Sequence, residues 1–133
     1  MKKDIQSRED IATLVNAFYD KLLEDELMKD IFLITARINL AEHLPILYDF
    51  WESVLFQAGK YRGNTLETHL ELNRPHRLEE QHFRRWLSLF NETVDEFFEG
   101  EKAQQAKERA LSIATIIKIK IDDLERQRLE FGN

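Results

Sequence analysis

Phe83, Trp86, Leu87, Phe90, Val94 and Phe97 recur at steps of three and four, a spacing that an α-helix brings onto one face. This stripe predicts a helix from about Glu79 to Phe98. The same period runs through the other long segments. Ile11, Leu14, Val15, Phe18 and Leu22 predict a helix from residue 8 to about 26, opened by Ser7 with Asp10 three positions on. Leu44, Leu47, Tyr48, Trp51, Val54 and Leu55 predict another from about 40 to 57, with Asn39 and Glu42 as a capping box. Pro45 removes the amide bond back towards Ala41, so the first turn should be irregular and regular helix should begin at Leu44. Gly100 breaks the chain before a last helix from about Ala103 to Leu129. There Ala106, Ala110, Ile113, Ile117, Ile121 and Leu124 should face inward, and the pairs Lys118/Asp122 and Asp122/Arg126 mark the solvated side. Residues 27–38 are apolar without a clean period and read as a short turn of helix and a corner that buries Phe32. No strand alternation, repeat or linker appears. The expectation is an all-α fold with short connections, a single domain over residues 1–133.

Histidines carry the chemistry that this pattern does not explain. Asn64 and Glu67 form a further capping box after the glycine-containing loop 57–63, and Leu66, His69 and Leu70 then share one side of a short helix ending near Arg74-Pro75. A histidine on an apolar face needs partners for its ring nitrogens. His69 is either an axial ligand to haem iron or a core histidine bonded to a backbone carbonyl. His43 lines a second apolar face, with Leu47, Phe50 and Val54 at i+4, i+7 and i+11. Tyr19 stands at the edge of its helix's buried stripe, where the hydroxyl reaches either water or a pocket. Trp86 brings an indole N–H that must be satisfied if it is buried.

Other classes find less support. Glu79-Glu80-Gln81-His82 contains a Glu-x-x-His pair of the kind used by di-iron carboxylate bundles, but those sites need a second such pair and further inward carboxylates. No Gly-rich phosphate loop, Ser-His-Asp order or His-Glu-x-x-His motif is present. A formal charge of −6 leaves no basic stripe for nucleic acid. Without cysteine there is no disulfide, thiolate metal site or thiol nucleophile. No apolar run is long enough to span a membrane, and Met1-Lys2-Lys3 leads into Asp4 rather than an apolar segment. The expectation is a cytoplasmic protein without a nucleic-acid or membrane partner.

Several short segments, each weak alone, are specific in their order and spacing. They are Phe18-Tyr19-Asp20-Lys21, Glu42-His43-Leu44-Pro45, Tyr48-Asp49-Phe50-Trp51-Glu52 and Tyr61-Arg62-Gly63-Asn64. Thr68-His69-Leu70-Glu71-Leu72, His82-Phe83-Arg84-Arg85-Trp86-Leu87-Ser88-Leu89-Phe90 and Glu99-Gly100-Glu101-Lys102-Ala103 complete the set. Over nearly its whole length the chain resembles a group III truncated haemoglobin. No two glycines are adjacent, unlike the Gly-Gly pairs of groups I and II. Lys29-Asp30 departs from the Gly-Pro that many relatives carry before Ile-Phe, and this bears on how tightly the corner holds Phe32.

The resemblance implies a truncated globin fold, a helical sandwich around haem b with the first helix nearly absent. It implies that His69 is the proximal iron ligand and that Tyr19, His43 and Trp86 line the distal side. Phe32 would wedge against the haem plane, and Leu47 and Phe50 would cover its distal face. The implied ligands are O2, NO, CO or peroxide at a five-coordinate iron. NO-detoxifying or peroxidase-like turnover would need a separate electron donor or reductase. The alternatives are a haem-free helical interaction module and a di-iron carboxylate bundle.

Overall fold

The structure, a computed structural model, describes residues 2–29, 40–56 and 79–130, and their side chains except those of 40, 41, 124, 125 and 128–130. Four helices lie within these residues: α1 (Arg8–Glu24), α2 (Leu40–Phe56), α3 (Glu80–Phe97) and α4 (Glu101–Glu130). Among the described residues the extended pairing is a single bridge between Lys3 and Phe98. The all-α expectation holds.

Each helix end has a local cause. Ser7 caps α1, its hydroxyl accepting from the Asp10 amide at 3.3 Å, which satisfies one of the four orphan N–H groups of a helix start. The helix stops at Glu24, two residues short of expectation, because Asp25 takes over. Its backbone is extended, and its carboxylate accepts from the amides of Leu27 and Met28 at 3.2 Å and pairs with Arg85 at 2.6 Å. A short acidic side chain that bonds its own following amides competes with continued helix. On α3 the Glu79 N–H donates to His82 Nδ1 at 2.8 Å. The Glu-x-x-His element thus closes a helix start, a local structural use for both residues.

Pro45 behaves differently from expectation. α2 is a continuous helix from Leu40 through Pro45 to Phe56, with no irregular first turn. Proline deletes one backbone bond here while its exposed ring meets solvent. Burial of Trp51 and Leu55, further along, holds the helix in place. Asn39, its expected cap, lies outside the described residues.

The start of α4 depends on the other end of the chain. Asp4 accepts from the amides of Lys102 and Ala103, each at 2.8 Å. The Glu99 N–H donates to the Lys3 carbonyl at 2.9 Å, and Ile5 is buried in the core. Gly100 has φ +144°, and a Cβ there would stand 2.6 Å from Asp4 Cγ. Both the backbone conformation and the close approach therefore require glycine.

Burial by itself would raise the Asp4 carboxyl. The amides of Lys102, Ala103 and Ile5, with the Lys102 charge, outweigh burial and hold it below the usual carboxylate range. A depressed folded value means that the stabilisation is present above the unfolded pKa and is lost as pH falls through the folded one. Asp4→Ala is expected to destabilise the protein by about 1 kcal/mol at neutral pH. Urea unfolding at a series of pH values should show this difference shrinking below about pH 4. A constant difference across that range would show that the carboxylate is not the group responsible.

The core runs between the helices rather than inside any one pair. α1 packs on α2 and α3, and α4 packs on α3 and more lightly on α2. Phe18, Leu22, Trp51, Phe90, Val94 and Ile117 are among its buried members. Ala103, Ala106, Ala110 and Ala114 give α4 a buried small-residue edge. Ile113, expected inward, is partly buried against this core. On the solvated side Lys118 and Asp122 pair at 3.0 Å as their spacing predicts. Arg126 pairs instead with Asp123, since i, i+3 is as reachable as i, i+4 and Asp122 already holds Lys118.

Candidate ligand-binding site

α1, α2 and α3 each contribute one polar aromatic side chain to a shared wall. Tyr19 follows the buried Phe18 at the edge of the α1 stripe, so its ring is half-buried. Its hydroxyl lies 3.3 Å from His43 Nε2 of α2, with the two rings nearly perpendicular at 75°. Trp86 of α3 is half-buried as well. Phe18 sits edge-on between them, 6.1 Å from the Tyr19 ring and 5.4 Å from Trp86. Of the three residues that resemblance assigned to the distal side, the structure brings Tyr19 and His43 into direct contact and links Trp86 to Tyr19 through Phe18.

Burial sets the protonation states of this wall. It pushes the Tyr19 phenol well above its ordinary value, so the group stays a neutral O–H. It lowers the His43 imidazole, which favours the neutral ring with one N–H and one acceptor nitrogen. The Tyr19–His43 bond thus joins two neutral groups, its direction set by the histidine tautomer. Among the described residues nothing accepts a hydrogen bond from the Trp86 indole N–H.

Leu47 and Phe50 follow His43 on the same face of α2, one and two turns on. Both are half-buried; Leu47 packs on the core and Phe50 tilts against Trp51 at 5.3 Å. His69 and Phe32 lie outside the described residues, as does His76. Within them, no three His, Cys, Asp or Glu side chains gather as a metal site.

Two supporting sets went unrecognised in the sequence. Arg8 bonds Asp49 at 2.6 Å and also Glu52, and Tyr48 bonds Asn16. These contacts clamp α1 to α2, the two helices whose residues meet at the Tyr19–His43 bond. The second set is aromatic. Phe90 stacks with Trp86 at 5.7 Å and with Trp51 at 5.2 Å. All three appeared in the apolar stripes, but a stripe does not tell a packing ring from a supporting one.

The donor set itself tests whether haem fits. A phenol, an imidazole and an indole N–H with no acceptor among the described residues, all neutral and set among aliphatic and aromatic side chains, suit the ligand face of a haem. No family model matches the chain. The Group 3 truncated hemoglobin ctb of Campylobacter jejuni subsp. jejuni serotype O:2 is 30% identical over 118 residues, 86% of this chain and 91% of that protein. Among solved structures, the crystal structure of group III truncated hemoglobin from Campylobacter jejuni is similar with a TM-score of 0.78 and 29% identity, covering 91% of this chain and 95% of that one. The fold and the sequence are those of a globin-type haem protein. Within that class the chain belongs to group III of the truncated haemoglobins.

No helix among the described residues is long and apolar enough to cross a membrane.

Proposed function

We propose that residues 1–133 form one truncated-globin domain that binds O2 on haem b, with His69 on the proximal side and Tyr19, His43 and Trp86 facing the ligand. NO, CO and peroxide are the further ligands of the same site. The observation that carries this reading is the pair of neutral donors on one wall, the Tyr19 hydroxyl beside His43 and the Trp86 N–H with no described acceptor. When bound, haem supplies the iron that takes the diatomic ligand and draws negative charge onto it. Tyr19 and Trp86 would retain a charged ligand there by donating to it, and an indole N–H can only donate. His43 holds the Tyr19 hydroxyl between ligands and acts as the gate. Leu47 and Phe50, with Phe32, exclude water from the ring.

Turnover of NO or peroxide in this site draws electrons from a separate reductase, as a cytoplasmic setting would provide. Trp86→Phe tests the donor role, because it keeps an aromatic ring and removes the N–H. A bond to a charged acceptor contributes about 1.5–3 kcal/mol, so O2 dissociation measured by stopped flow should rise about tenfold or more. CO dissociation should change little. Unaltered O2 release in a variant with a normal absorption spectrum would remove Trp86 from the donor set.

A further inference from the structure

We infer that Phe90 is a positioning residue that fixes the plane of the Trp86 indole, with Trp51 as its support; this rests on the reading of Trp86 as a ligand donor. Phe90 lies one turn beyond Trp86 on α3 and is 1% exposed. Its ring is parallel to the indole within 10° at 5.7 Å. Trp51 of α2 stacks with the same phenyl ring, 5.2 Å away and within 19°. The two indoles make no ring contact with each other, so Phe90 separates them. Phe18 meets both Phe90 and Trp86 edge-on, at 86° and 76°.

An indole ring needs such support when its N–H has no acceptor. The outer side-chain torsion of tryptophan is broad and weakly restrained, and hydrogen bonds weaken steeply once the donor angle opens. With no described partner holding the N–H, the ring's orientation falls to its neighbours. Contact with the Phe90 face resists tilting, and the perpendicular edge of Phe18 resists sliding. Offset-stacked and edge-to-face are the arrangements that the charge distribution of aromatic rings favours. A leucine at position 90 would fill much of the same space without presenting a flat face. The stack also crosses from α3 to α2, so the helix that carries His43 supports the plane of the Trp86 donor.

The chain has two tryptophans, so the CO-bound holoprotein labelled with 15N gives two indole N–H signals, assigned by Trp51→Phe. In the unaltered protein the Trp86 indole should be rigid, with an order parameter near 0.85, about that of ordered backbone. Phe90→Leu is expected to lower it below about 0.6 and to speed O2 release severalfold while CO release stays constant. Trp51→Leu, which leaves Phe90 in place without its support, should shift both in the same direction and serves if Phe90→Leu does not retain haem. Val94→Ala is the control, since Val94 is 0% exposed one turn further on and truncating it disturbs the core without removing a ring. A Trp86 indole that stays rigid in Phe90→Leu or Trp51→Leu, or that loosens equally in Val94→Ala, overturns the inference. If the indole loosens but Trp86→Phe itself leaves O2 release unchanged, the positioning stands and the donor role fails.

Discussion

Tyr19→Phe is expected to raise the O2 dissociation rate about tenfold or more. The substitution removes one oxygen and keeps the ring that packs edge-on against Phe18. Burial holds the phenol neutral, so it meets a ligand as a full donor. Its oxygen lies 3.3 Å from His43 Nε2, a neutral partner at more than the usual distance for a hydroxyl hydrogen bond. Exchanging this contact for a bond to a charged acceptor should therefore be favourable. CO takes on little charge when bound, and its dissociation should change much less. Tyr19 and Trp86 both touch Phe18. If their donors reach the same ligand atom, the Tyr19→Phe/Trp86→Phe double mutant will show less than the product of the two single effects. Stopped-flow release of O2 and CO from the four proteins decides this. A Tyr19→Phe protein that holds O2 as long as the unaltered one would reduce Tyr19 to a packing residue.

The second large effect is expected at His69. His69→Gly should lose most of the haem affinity, and added imidazole should restore a coordinated spectrum by entering the space of the missing ring. His82 is a useful contrast, because its Nδ1 already takes the Glu79 amide at the start of α3. His82→Ala should cost some helix stability, by removing the acceptor for the Glu79 N–H, and leave the haem spectrum alone. Haem that binds only the folded chain raises its stability by mass action. The holoprotein should therefore melt above the apoprotein, and His69→Gly mixed with haem should melt close to its own apo form. If His69→Gly keeps an unchanged ferrous spectrum, while a substitution at His43, His76 or His82 does not, the ligand is one of those three.

The legible part of the fold came from period and turn chemistry. α1 and α3 match their predicted spans to within two residues, because each has a strong stripe and a start encoded nearby. α4 begins two residues early because its cap, Asp4, is 98 positions from the first amide it holds. No window along the chain contains both. Pro45 was read by a local rule, and the packing of the rest of α2 overruled it.

The sequence by itself determined that the chain would be helical, which side of each helix would be apolar, and that Tyr19, His43 and Trp86 would offer polar groups near those sides; burial in the tertiary structure made the first two neutral. The order of its short segments also carried the family. Tertiary structure alone decided which faces met. It placed the Tyr19 hydroxyl against His43 rather than in water, closed Arg8 onto Asp49 and Glu52, and set Phe90 between two indoles. Periodicity reports the direction of a side chain relative to its own helix axis. Contacts between helices depend on their crossing angles, rotations and relative heights, which the close packing of the whole core settles at once.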